Sequence, residues 1–192
     1  TWLLLLALYV LAAGCGLALD LRPQLEAAFA PPSAAHWLGT DQIGRDLLAL
    51  TLAGARTALL VGLLAGGTAT VLGAALGLLA GWRGGAADRL VLALSAWVAA
   101  VPGILLIVVL GFLLGGGFAA VFLAVGAVSW IGTCRLVRAE TRRLRSAAFV
   151  DAALASGSSA GRVVTRHLLP HLAPLLGVQG ALAFLYAIKA EI

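Results

Sequence analysis

Long apolar runs without charge alternate with short polar stretches along this chain. Residues 1–19 hold no charged side chain, and 20–56 is the first polar stretch. Residues 57–82 are charge-free, and 83–89 form a short polar turn. Residues 90–134 are charge-free again, 135–166 are polar, and 167–188 lack formal charge. A helix needs about 20 apolar residues to cross a bilayer. The run 90–134 is long enough for two helices, and Gly115-Gly116-Gly117 offers the break between them. The pattern predicts an all-α, polytopic transmembrane helix bundle with five spans.

Composition excludes the main alternatives. Of 192 residues, 62% are hydrophobic and 11% are charged, whereas a soluble domain carries roughly 45–50% apolar and about 25% charged residues. The mean hydropathy is +1.06. One soluble core could not bury so much apolar surface, and a disordered tail, a collagen-like fibre and a disulfide scaffold do not fit either. The chain holds no methionine and opens inside an apolar run, so a further N-terminal segment is expected.

Charge sets the expected orientation. The net charge is +5 and the isoelectric point about 10.2, a balance that in a soluble protein would raise nucleic acid as a partner. The arginines instead cluster in particular loops. The stretch 135–166 has seven (135, 138, 142, 143, 145, 162 and 166) against Glu140 and Asp151, and 83–89 has two against one acid. The stretch 20–56 has three against four acids. Cytoplasmic loops carry the basic excess. This puts 83–89 and 135–166 in the cytoplasm and 20–56 outside, with the lipid bilayer rather than nucleic acid as the partner. The domains are then a first span (1–19), an extracytoplasmic segment (20–56), and a core (57–192) with a cytoplasmic loop at about 135–170.

Two features bear on packing. Glycines 62, 66, 73, 77 and 81 keep near one face of the second span. Lipid supplies no hydrophobic drive for helix pairing, so a face of small residues predicts a close helix–helix seam. Pro102, inside the third span, lacks a backbone donor and is expected to kink it.

Several chemistries find no support. No acid or base falls in the middle of a span, which argues against proton or sodium coupling. The chain has one lysine, Lys189, and no Gly-x-x-x-x-Gly-Lys-Ser/Thr loop to cradle nucleotide phosphates. Ser158, Ser159 and His167 lie close in sequence but without an oxyanion motif. His167 and His171 are four apart, with Pro170 between them and no intervening Glu, so the zinc-protease pattern fails. Cys15 and Cys134 have no ligand spacing and read as small buried residues. No catalytic, cofactor-binding or metal-binding residue is assigned, and the chain is not expected to be an enzyme.

The informative stretch is Asp151-Ala152-Ala153-x-x-x-Gly157, then nine residues, then His167-x-Leu169-Pro170. It resembles the Glu-Ala-Ala loop of ABC-importer permeases, with Asp151 in place of Glu and His167 in place of Ile. A second stretch, Leu38-Gly39-Thr40-Asp41-Gln42-Ile43-Gly44-Arg45-Asp46, looks like a segment of the dipeptide, oligopeptide and nickel importer permeases. Gly54-Ala55-Arg56, Gly81-Trp82-Arg83-Gly84-Gly85 and Val128-Ser129-Trp130 resemble that branch as well. The resemblance covers about residue 36 onward. It implies a type I ABC-importer permease-like bundle in a bacterial cytoplasmic (inner) membrane, with a sixth span expected beyond Ala190-Glu191.

It also implies partners: a second permease subunit, two ATP-binding subunits and an extracytoplasmic substrate-binding protein. Asp151, Ala152, Ala153, Gly157, Arg162, Arg166, His167, Leu169 and Pro170 would form the ATPase-coupling loop. Small residues let a short helix sit closely in a partner's groove, Arg162 and Arg166 add charge at the rim, and Pro170 and Pro174 stiffen the return to the membrane. In the outer motif (Gly39, Thr40, Asp41, Gly44, Arg45 and Asp46), Thr40 can cap a helix starting near Asp41. Asp41 and Arg45 then fall on one face, and Trp37 suits the interface. A lateral helix is expected there, either contacting the binding protein or bracing the bundle. Import of di- or oligopeptides is the leading reading. A nickel or other small-solute permease, an ion-coupled secondary transporter and an intramembrane Ser/His hydrolase stand as alternatives.

Overall fold

The structure, a computed structural model, describes Gly14 and residues 21–191. The predicted first span, 1–19, otherwise lies outside the described residues. The chain divides into two compact units, residues 1–60 and 61–192.

In the first unit, residues 21–46 fold as loops and turns around one 3-10 turn, Leu25–Ala27. Helix α1 then spans Leu47–Arg83, and its first residues belong to this unit. The lateral helix expected near Asp41 is absent: residues 41–46 form a tight turn and α1 starts only at Leu47. Asp46, not Thr40, is the capping side chain. Its Oδ1 accepts from the amides of Leu48 at 2.8 Å and Ala49 at 3.2 Å, two of the donors a helix N-terminus leaves unpaired.

The second unit contains the rest of α1 and six further helices: α2 (Gly85–Ala99), α3 (Gly103–Leu113), α4 (Gly117–Arg145), α5 (Ala148–Ala155), α6 (Ala160–Val163) and α7 (Leu169–Glu191). One turn of π-helix, Val164–Leu168, joins α6 to α7. Three described segments are long and apolar enough to cross a membrane: Leu47–Arg83, Ala119–Arg145 and Ala160–Ala190. The pair α2–α3 passes the same test together, bent by 86°. These four match the predicted spans after the first, and the break between α3 and α4 falls at the three glycines.

Pro102 does more than kink its span. Helix α2 ends at Ala99, and Pro102 (φ −53°, ψ 125°) is extended. Its missing N–H and fixed φ stop the incoming helix, while its carbonyl accepts from the Leu105 and Leu106 amides and opens α3.

The glycine stripe of α1 is a seam, as expected, and it serves two helices. A Cβ on Gly66 would lie 2.7 Å from the Phe184 backbone nitrogen of α7. Cβ atoms on Gly73, Gly77 and Gly81 would lie 2.6, 2.6 and 2.8 Å from the carbonyl oxygens of Trp130, Cys134 and Arg138 on α4. Only glycine allows backbones so close. Around this seam lie buried clusters of Val61, Ala65, Val125 and Ala187, and of Ala80, Val91, Trp130 and Cys134. Large apolar side chains such as Val71, Ile104, Phe112 and Val178 stay exposed, Phe112 at 85%, as a lipid-facing surface requires.

Candidate functional site

Helix α5 is built around a contrast between its two faces. Val150 faces inward and is 1% exposed, packed in a cluster with Val137 and Leu144 of α4, Val163, Leu168 and Leu172. Phe149, beside it, stacks on His171 with centroids 5.2 Å apart and planes 13° from parallel, and its ring centroid lies 6.4 Å from that of His167. His171 Nδ1 lies 2.7 Å from the His167 carbonyl and donates to it. The short helix is thereby fastened to the base of α7. On the other side Asp151, Ala152, Leu154 and Ala155 are exposed.

Gly157 ends α5. Its φ is +84°, in the left-handed region where a Cβ is disfavoured. The Gly157 amide donates to the Leu154 carbonyl at 3.0 Å, and the Ser158 amide donates to the Ala153 carbonyl at 3.1 Å. This pair of bonds is the Schellman closure, with glycine at its left-handed position. Ser159 then caps α6, its Oγ accepting from the Arg162 amide at 3.4 Å.

The predicted loop residues are thus brought together, with one division of labour that sequence spacing missed. Ala152 faces out, but Ala153 is half-buried against the Val150 cluster. Arg162, Arg166, Leu169 and Pro170 are exposed and His167 is half-buried. Pro170 is second in α7, directly after the π turn; it leaves the Arg166 carbonyl without its usual helical donor. Sequence reading did not single out Phe149 or Val150. Their signal was the apolar pair immediately before Asp151.

The second motif, 38–46, is a turn held against the preceding loop. Thr40, 6% exposed, accepts from the Ala30 amide at 2.8 Å and donates to the Ala27 carbonyl. Asp41 Oδ1 accepts from the Ile43 and Arg45 amides, each at 2.9 Å, and its Oδ2 accepts from Arg45 Nε at 2.9 Å. The Asp41–Arg45 pair therefore forms as expected, but across a turn rather than along a helix. A Cβ on Gly44 would overlap the Gln24 carbonyl oxygen. Gly39, at φ +76°, accepts at its carbonyl from the Leu47 amide. Asp46 Oδ2 lies 2.9 Å from His36 Nδ1.

Both acids sit below their ordinary pKa. For Asp41, burial pushes upward but is outweighed by the Arg45 and Ile43 amides and the Arg45 guanidinium. For Asp46, the His36 hydrogen bond dominates, aided by the Ala49 and Leu48 amides against burial.

Among the described residues, no group of three or more His, Cys, Asp or Glu could hold a metal. A hollow of about 300 Å³ between α4 and α7 is lined by Ser129, Thr133, Gln179 and Tyr186 with apolar neighbours. Its polar groups are hydroxyls and an amide.

Residues 73–192 match the family of binding-protein-dependent transport system inner membrane components. The chain belongs to that family. The permease is 33% identical over 161 residues to a dipeptide transport system permease protein, DppC, of Bacillus subtilis, covering 84% of this chain and 50% of that protein. It is 33% identical over 147 residues to an oligopeptide permease protein, OppC, of Haemophilus influenzae (77% and 47% covered). It is 37% identical over 139 residues to a glutathione permease protein, GsiD, of Pectobacterium atrosepticum (72% and 46%). The chain spans about half the length of these relatives. It is a multi-pass protein of the bacterial inner membrane, in a family of transport permeases rather than catalytic subunits.

Proposed function

We propose that the permease is the membrane-spanning subunit of an ATP-driven importer of di- or oligopeptides. In that assembly it pairs with a second permease subunit, two ATP-binding subunits and an extracytoplasmic substrate-binding protein. ATP hydrolysis belongs to the separate subunits. Helix α5 is the coupling element: its exposed face, Asp151, Ala152, Leu154 and Ala155, enters a groove of an ATP-binding subunit, and Arg162 and Arg166 meet the rim.

The observation that carries this reading is the two-sided build of α5. A face carrying Ala152 and Ala155 beside Asp151 and Leu154 is exposed, while Val150 and the Phe149–His171 stack fix the helix to α7. A push on α5 therefore moves a membrane-spanning helix. Coupling requires that the loop bind two partner states with different free energies. The peptide reading rests on relatives named for dipeptide, oligopeptide and glutathione transport. The hollow lined by Ser129, Thr133, Gln179 and Tyr186 favours neutral amide-bearing solutes over nickel, since it offers no ordinary ligand for that ion.

The test is uptake of a labelled dipeptide by the complete importer carrying Gly157→Val. Insertion is expected to persist while uptake is lost, because the left-handed cap that ends α5 is strained by a β-branched residue. Normal ATP-coupled uptake in this variant contradicts the coupling role. Uptake that survives loss of the ATP-binding subunits but collapses with the proton gradient selects the secondary transporter instead.

A further inference from the structure

A basic hollow lies at the arginine-rich end of α4, in the second unit. It measures about 290 Å³ and is lined by Gly81, Gly84, Arg142, Arg145 and Ser146. The last turn of α4 supplies three arginines, Arg142, Arg143 and Arg145, and their surroundings differ. Arg143 is satisfied, donating through Nε and Nη2 to both oxygens of Glu140. Asp88 faces Arg142, but both its oxygens already accept from Arg138. Arg142 stands 3.7 Å from it with 58% of its side chain exposed. Arg145 meets no carboxylate among the described residues. Its guanidinium carbon lies 5.9 Å from the Trp82 ring centroid, and its Nη1 lies 3.6 Å from where a Cβ on Gly84 would be. The aromatic ring holds the cation beside the hollow, which Gly84 also lines.

Arg145 has no carboxylate partner among the described residues, and Arg142 shares Asp88 with Arg138, so the hollow carries more positive charge than its acids balance. Guanidinium forks match phosphate oxygens best. Placement selects the source. Trp82 has the amphipathic ring of an interfacial residue. Helix α2 starts one residue beyond Gly84 and carries Leu90, Leu94 and Trp97 along one exposed apolar stripe. An anion held here would sit where an apolar, lipid-facing surface begins. Basic pockets between transmembrane helices suit anionic headgroups. We propose that Arg142 and Arg145 hold the phosphodiester of an anionic phospholipid in this hollow.

The test uses the full-length permease in its importer, exchanged into bilayers with equal parts of phosphatidylglycerol and phosphatidylcholine. Lipid retained on the protein is read by native mass spectrometry. Wild type is expected to retain phosphatidylglycerol about tenfold in excess. Arg142→Gln with Arg145→Gln should bring that ratio back to the bulk value. Arg145→Lys should keep most of it, and so should Arg143→Gln, which removes an equal charge from the same turn.

No enrichment on wild type overturns the proposal, with no variant needed. Equal loss in Arg143→Gln overturns it in favour of diffuse surface charge. Displacement of the lipid by millimolar inorganic phosphate assigns the hollow to a free anion. Loss of partner subunits from the double variant with lipid retained assigns it to a protein contact. None of these readouts depends on transport, so they stand apart from the coupling role of α5.

Discussion

Substituting alanine at two neighbouring glycines of α1 should have opposite consequences. A Cβ on Gly73 would lie 2.6 Å from the Trp130 carbonyl oxygen, which is backbone and cannot step aside, whereas a Cβ on Gly67 meets nothing within 4 Å. Gly73→Ala is expected to destabilise the bundle by about 1–3 kcal/mol. Gly67→Ala should be neutral or slightly stabilising, because alanine is the better helix former. Unfolding in mixed micelles separates the two. The seam itself was legible, since spacing alone put five glycines on one face. Its division between α7 and α4 was not, because a stripe does not name its partner.

At the same scale, Asp46 joins a cap to a hydrogen bond with His36. Its folded pKa lies below the ordinary aspartate value because of His36 and the Leu48 and Ala49 amides. Its contribution is therefore complete above the ordinary value of about 4, and it is lost as pH falls through the lower folded value. Amide-exchange protection at Leu48 and Ala49, taken relative to the intrinsic rate at each pH, should fall over that acid window. It should already be low at neutral pH in Asp46→Ala.

Elements fail where one residue offers two uses. Sequence reading gave Thr40 the cap, yet its hydroxyl is taken by the Ala30 amide and the Ala27 carbonyl, so Asp46 caps instead. No local signal ranks Thr40 below Asp46; only the fold of the preceding loop does. The sequence predicts a kink at Pro102 and the structure has an 86° break, because the missing donor is visible in sequence but the extended ψ of Pro102 is not. For α5, the alanines and Gly157 were legible through their spacing, while Val150 and Phe149 were hidden among ordinary apolar residues. Leu168 is 0% exposed under α5. Leu168→Ala should cost about 2–5 kcal/mol and make the α5–α6 segment sensitive to protease, with the membrane helices left intact.

For the molecule as a whole, apolar runs predicted the four described spans, because a bilayer imposes a length rule that a single sequence displays directly. The central claim is that α5 of this permease is gripped by an ATP-binding subunit on the cytoplasmic side. Ala152 is exposed on that helix and lacks a side chain whose loss would disturb packing. With Cys15 and Cys134 replaced by serine, an Ala152→Cys permease can be assembled in the complete importer and treated with a short bifunctional thiol reagent. The account predicts a cross-link from Cys at this position to an ATP-binding subunit, with a yield that changes when ATP is added. Absence of that cross-link in an assembled importer, or modification of this position by a reagent confined to the outer face, would contradict it.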